Sequence, residues 1–203
     1  LADRTCNNCN IFGSGVYLYE SYSLFTNCQI LNNETRSDVH NSGNEDSWSR
    51  GGGVYLGHSD VEFRGCVIAD NRSYAYDHHS AGGSAAHAYG GGVYNYNGTL
   101  NLVDTEISRN SADSNGHQYY KYGGGVYNES GTTNIINCTI TENNIQGLFL
   151  SGGSINVNSS IIWYNDSNDH GGINYSYTNR QGSAPGGDGN ISYYPWFVDI
   201  DND

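Results

Sequence analysis

The 203-residue chain has no methionine, a single lysine (Lys121), and only 8 basic residues against 21 acidic ones, a net charge of −13. That balance argues against nucleic acid and against anionic membrane surfaces, both of which need clustered Lys and Arg. It leaves room for divalent cations and cationic partners. No run is apolar enough to span a membrane, so no membrane insertion is expected of this segment, and no signal peptide is present. Helical periodicity is missing throughout. Large aliphatics are few, and a narrow-cored repeat stack suits them better than a compact globule. Gly, Asn, Ser and Tyr dominate, and the length suits one domain. The start at Leu1 without methionine suggests a processed product or a fragment.

Gly-Gly-Gly-Val-Tyr stands at 51–55 and recurs at 90–94 and 123–127, with a looser copy at Gly13–Tyr17. With the valine as offset zero (Val16, Val54, Val93, Val126), offset 12 holds Cys28, Cys66, Thr105 and Cys138. Offset 14 is isoleucine each time (Ile30, Ile68, Ile107, Ile140) and offset 17 asparagine (Asn33, Asn71, Asn110, Asn143). A fifth copy follows with Leu148, Phe149, Ser160, Ile162 and Asn165, and offset 9 carries Phe25, Phe63, Leu102, Ile135 and Val157. The shortest period, Val126 to Leu148, is 22 residues, far too short for a propeller blade.

Offsets 7 and 9 share parity, as do 12 and 14, and the phase slips between 9 and 12 and again between 14 and 17. A slip in a period-two pattern is a bend, so each repeat carries three short strands. The expected fold is all-β: a parallel β-helix, a β-solenoid of about five turns. Its core is a valine column, an isoleucine column and a Phe/Leu/Ile/Val column. Tyr17, Tyr55, Tyr94, Tyr127 and Phe149 should form an aromatic column on the outside. Asn33, Asn71, Asn110, Asn143 and Asn165 are expected to form a structural ladder, tolerating unusual backbone angles at a bend and bonding the amides above and below.

The combination of Gly-Gly-Gly-Val with Ile-x-x-Asn (Ile30–Asn33, Ile68–Asn71, Ile107–Asn110, Ile140–Asn143, Ile162–Asn165) resembles the right-handed β-helix repeat of polymorphic outer-membrane proteins. That family alternates a GGA-[ILV] element with F-x-x-N; here Gly replaces Ala and Ile replaces Phe. Asn190-Ile191 and Pro195–Asp199 are similar to the segment that closes such helices, with Tyr194 and Trp196 departing from it. The resemblance implies the fold and says little about function.

Residues 1–12 read as a lead-in or partial cap, 13–165 as the repeats, and 166–203 as an irregular tail packed on them. Length variation between repeats falls in three loop insertions at one corner, Glu34–Arg50, Arg72–Tyr89 and Ser111–Tyr122. These should pile up along one edge, where insertions often build a binding surface. His78, His79, His87 and His117 there lack the spacing of a metal site, and two adjacent histidines rarely ligate one ion. Tyrosines on the same edge could stack on sugar rings, and loops packing on each other explain them as well. No cofactor is expected: Asp199-x-Asp201-x-Asp203 has the look of a calcium loop's start but lacks its glycine and distal glutamate. Cys28 and Cys66 fall in one column at about 4.8 Å, which admits a disulfide or equally a stack of thiols. Cys138 should be a free, buried thiol. Cys6-x-x-Cys9 fits a partial repeat better than a redox or zinc half-site.

An enzyme is not expected. Polysaccharide lyases and hydrolases on this scaffold need a positioned base or paired carboxylates. The nearest cluster, Asp70, Arg109 and Glu142, reads as well as a surface ion-pair strip. Nine Asn-x-Ser/Thr sequons occur, and Asn97, Asn137, Asn158, Asn174 and Asn190 are the best placed for glycosylation, implying an extracellular or cell-surface protein. The last full repeat is the most apolar, Leu148–Trp163, and the lead-in is short. The expectation is a structural or adhesive element assembling head to tail into a homo-oligomer or filament. The alternative is a carbohydrate-binding or polysaccharide-degrading module.

Overall fold

A computed structural model describes residues 2–5, 10–40, 45–78 and 83–195. Among these there are 23 strands in four sheets, no helix, and only parallel pairing between strands. Parallel strands demand long connections, and the repeat supplies them: each strand pairs with its counterpart one repeat away.

The largest sheet holds offsets zero to ten. Its register aligns Val16, Val54, Val93, Val126 and Leu148 in one row. Phe25, Phe63, Leu102, Ile135, Val157 and Tyr175 form another. A second sheet, from Gln29–Leu31 to Asn179–Arg180, aligns Ile30, Ile68, Ile107, Ile140, Ile162 and Arg180. From the second repeat on, the zero, nine and fourteen columns are essentially inaccessible and form one apolar core.

The bends lie where the phase slips. Asn27, Gly65, Asp104, Asn137 and Ser159 at offset 11 have φ of 49 to 60°, and Asn32, Asp70, Arg109, Glu142 and Tyr164 at offset 16 have φ of 52 to 57°. The left-handed residue is thus the one before each ladder asparagine, and not the asparagine itself as expected. Freed from the turn, the asparagine points inward. The glycine triplet is required by close approach. A Cβ on Gly91 would lie 2.3 Å from the Ser111 carbonyl oxygen, and one on Gly92 would lie 2.6 Å from that of Gly125.

Among the described residues each of the three insertions holds two strands, where loops were expected. Glu34–Val39, Arg72–Asp77 and Ser111–Asn115 form a third sheet with Ala2–Thr5. Ser47–Arg50, Ala86–Tyr89 and Tyr119–Tyr122 form a fourth with Asn10–Phe12. The two sheets pack on each other through small side chains. Ala75, Ala86, Ala88 and Ala112 are fully buried there. The Ser47 hydroxyl donates to the Ser37 carbonyl at 2.7 Å, and Ser49 donates to that of Thr35 at 2.9 Å. Hydroxyls that bond the opposite backbone let serine and threonine fill a thin interior with most of their polar groups satisfied, the buried Ser114 hydroxyl being an exception.

The fourth sheet also covers the aromatic column from Tyr55 to Phe149, which therefore is not on the outside, while Tyr17 stays exposed. Tyr55, Tyr94, Tyr127 and Phe149 are 1 to 8% exposed. Their rings stack at 5.2 to 5.4 Å along the column, and Tyr89 and Tyr122 lie against Tyr127 and Phe149 at 4.8 and 4.5 Å. Burial pushes the Tyr55 hydroxyl up to about 12. Offset stacks of this kind add about 0.5–1.5 kcal/mol per pair beyond area burial.

Candidate functional site

Two hydrogen-bond ladders run through the interior. In the first, each asparagine side-chain oxygen accepts from both the backbone N–H and the side-chain amide of the one before it. The Nδ2–Oδ1 steps Asn33–Asn71, Asn71–Asn110, Asn110–Asn143 and Asn143–Asn165 measure 2.9 to 3.0 Å. In the second, offset 12, the Cys28 amide donates to the Cys66 sulfur at 3.4 Å, the Cys66 amide to the Thr105 hydroxyl at 3.3 Å, and the Cys138 amide to the Ser160 hydroxyl at 3.0 Å. Cys28, Cys66 and Cys138 are free thiols, so the Cys28–Cys66 disulfide is not formed. The column needs a small side chain that both accepts and donates, which is why Cys, Thr and Ser interchange there. Burial raises the Cys138 thiol to about 11. These ladders are internal and present nothing to a ligand.

The sequons separate by exposure. Asn97, Asn137 and Asn174 are exposed and Asn158 is half-buried, its amide donating to the Ser176 hydroxyl at 2.7 Å. Asn190 differs: its amide donates to the Tyr175 and Gly186 carbonyls, both at 2.9 Å, and its oxygen accepts the Thr178 amide at 3.0 Å. A sugar there would displace one of these bonds. Asn71, Asn128 and Asn165 are 0 to 5% exposed, closing their sequons in the folded chain.

A single arginine ties the acidic strip together. Arg109 forks onto Asp70 with two bonds of 3.0 Å, and its guanidinium also lies 4.0 Å from Glu106. Arg50 lies over the rings of Trp48 and Phe12, at 4.4 and 5.4 Å to their centroids, and donates to Asn10 at 3.0 Å. Burial lowers its pKa and raises that of Glu129, which shares with it a cleft of about 260 Å³.

The histidines of the insertions do not gather as one group. His87 lies between Trp48, at 3.6 Å between ring centroids, and Tyr120, at 5.0 Å. His40 and His78, each one residue past the end of neighbouring strands of the third sheet, stack at 3.6 Å beside Asp38. Sequence reasoning passed over this pairing, although His40 and His78 each follow their ladder asparagine by seven residues. His79, Cys6, Cys9 and Asp199-x-Asp201-x-Asp203 lie outside the described residues.

The two ends of the stack differ most. At the C-terminal end the expected open face of Leu148–Trp163 is covered. Segment 166–195 is not wholly irregular, since Asn174–Ser176 and Asn179–Arg180 add strands to both core sheets. His170 stacks on Phe149 at 4.5 Å. Asp169 accepts the Leu148 amide at 2.9 Å, the Tyr175 hydroxyl at 2.9 Å and the Arg180 Nε at 3.1 Å, with its side chain 2% exposed. Burial raises the Asp169 pKa, and its three donors oppose the shift. Each core column thus ends on a polar residue satisfied by its neighbours, as a cap requires.

At the N-terminal end nothing among the described residues pairs with the outer edges of Val16–Tyr19, Tyr22–Thr26 and Gln29–Leu31. Val16, Leu18, Phe25 and Cys28 are only partly buried against the core. Tyr17, Tyr22 and Leu24 are 52, 87 and 63% exposed. Unpaired strand edges flanked by apolar side chains invite another strand.

No family model, curated protein or solved structure matches the chain.

Proposed function

We propose that the chain is a right-handed parallel β-helix that works outside the cell as a non-enzymatic structural or adhesive element, joined to a second copy of itself through its N-terminal end. The in-register parallel rows and the left-handed bends between strands support the helix, as does the resemblance to the outer-membrane-protein repeat. The exposed sequons Asn97, Asn137 and Asn174 support an extracellular setting.

The observation that carries the assembly is the inequality of the two ends. A head-to-tail filament needs two complementary open faces, and here the Asp169–Arg180–Tyr175 cluster closes one. A self-contact made through the N-terminal face of both copies is isologous and closes as a two-fold pair. Two-fold symmetry sets the edges of the first repeat antiparallel to their copies, satisfying backbone groups and covering Tyr22 and Leu24. The test is sedimentation velocity from sub-micromolar to 100-micromolar chain, about the usual range for weak self-association. A concentration-dependent dimer that Leu24→Lys abolishes supports the reading. A monomer throughout, or filaments insensitive to Leu24→Lys, overturns it.

A second reading, saccharide binding, has one specific support. Asn101, Asn134, Asn156 and Asn174 form an outer amide ladder with steps of 2.9 to 3.0 Å beside a cleft of about 440 Å³. Binding of the purified chain to any polysaccharide, lost in Asn134→Ala, would favour it; a blank glycan panel counts against it.

A further inference from the structure

Three histidines stand just beyond the strand ends of the third sheet. His40, His78 and His117 each stand seven residues beyond a ladder asparagine, Asn33, Asn71 and Asn110. Parallel pairing runs in register from Glu34↔Arg72 to Val39↔Asp77, and from Arg72↔Ser111 to Tyr76↔Asn115. Successive repeats therefore set equivalent residues side by side. The His78 amide donates to the Val39 carbonyl at 3.1 Å, extending this alignment to the first two histidines, and Gly116, next to His117, packs against Asp77. The ladder residues of the core recur because the core must be filled. Nothing in packing demands that an exposed position be histidine three times running.

We propose that His40, His78 and Asp38 bind a divalent transition-metal ion, with His117 contributing a further imidazole from the next repeat.

The two rings stack at 3.6 Å with 23° between their planes, and one ligand atom from each of His40, His78 and Asp38 lies within 4.8 Å of the others. Two zinc–nitrogen bonds of about 2.05 Å meeting at a tetrahedral angle place their nitrogens about 3.3 Å apart, so donors that already lie within 4.8 Å of one another need close by at most about 1.5 Å, a shift that rotation of the exposed His40 side chain supplies. The carboxylate is buried, and Arg36 Nε holds one of its oxygens at 2.9 Å. An outer partner of that kind orients a ligand before the ion arrives. Tyr76 sets its ring edge-on to His78 at 4.0 Å and limits its rotation. Two imidazoles and one carboxylate suit zinc, nickel or copper and not calcium, which takes six or more oxygens. The net charge of −13 favours cations near the surface.

The experiment titrates chelator-treated full-length chain with zinc chloride alone, by calorimetry near neutral pH. Histidine side-chain nitrogen resonances are followed in parallel. One ion per chain is expected, with the ring nitrogens of His40 and His78 shifting together. His40→Gln and His78→Gln should each weaken binding at least tenfold, and His117→Gln less. His58→Gln and His170→Gln, at sites far from the column in sequence register, should leave it unchanged. The melting temperatures of His40→Gln and His78→Gln without metal should match the parent, since both side chains are exposed. No saturable binding, or binding that survives both His40→Gln and His78→Gln, would show the column to be ring stacking only and overturn the proposal.

Discussion

The side-chain amide of Asn110 donates to the side-chain oxygen of Asn143 at 3.0 Å, while its own oxygen accepts both the amide N–H and the side chain of Asn71 at 3.0 Å. Asn110 is fully buried and Asn33, at the open end, is not. Truncating Asn110 strands donors and an acceptor where water cannot reach, at about 1–3 kcal/mol per group left unmade. Asn110→Ala should therefore lower the urea unfolding free energy by about 3 kcal/mol, and Asn33→Ala by about 1 or less. Equal costs at the two positions would contradict a continuous ladder.

Gly91 and Gly172 give a matched pair. A Cβ at Gly91 meets the Ser111 carbonyl oxygen at 2.3 Å, whereas one at Gly172 meets nothing within 4 Å. Backbone cannot move aside without breaking the row of pairs above and below it. Gly91→Ala should cost about 3 kcal/mol or prevent folding, and Gly172→Ala should stay within about 0.5 kcal/mol of the parent by denaturant titration.

His87 gives the fold a pH dependence. Its ring lies between Trp48 and Tyr120, its Nδ1 is 2.9 Å from the Tyr89 hydroxyl, and burial lowers its pKa. A histidine with a lowered folded pKa binds its proton first in the unfolded chain. Its contribution is present above the unfolded value of about 6.5 and is lost as pH falls through the folded value. The urea midpoint should drop between pH 7.5 and 5, roughly the range histidine spans. His87→Phe, which keeps the stack but cannot titrate, should flatten that slope. An unchanged slope in His87→Phe would place the acid sensitivity elsewhere.

The large core was legible because aliphatic residues recur at fixed offsets, so Val54, Ile68 and Phe63 announce their rows. Bends at offsets 11 and 16 were legible as slips in parity. The third and fourth sheets were not, because Thr35-x-Ser37, Ser73-x-Ala75, Ser47-x-Ser49 and Ala86-x-Ala88 alternate small residues against polar ones, and small polar residues read as loop. That hidden layer turned an outward tyrosine column into a buried one. The C-terminal cap was illegible for the opposite reason. Asp169 and Arg180 occupy core columns, where charge contradicts the template until Tyr175, Leu148 and each other satisfy it. The histidine column was written in plain spacing, but it becomes meaningful only once the insertions are known to be strands in register.

The most direct test of the unequal ends is amide hydrogen exchange resolved by segment, at dilute and at high chain concentration. Amides of Val16–Tyr19, Tyr22–Thr26 and Gln29–Leu31 should exchange fast when dilute and slow markedly when concentrated, as the second copy covers them. Amides of Ser154–Asn158 and Ile161–Trp163, under the Asp169–Arg180 cap, should exchange slowly at both concentrations. Protection of the first repeat that ignores concentration, or fast exchange in Ile161–Trp163, would contradict an open N-terminal end and a closed C-terminal one.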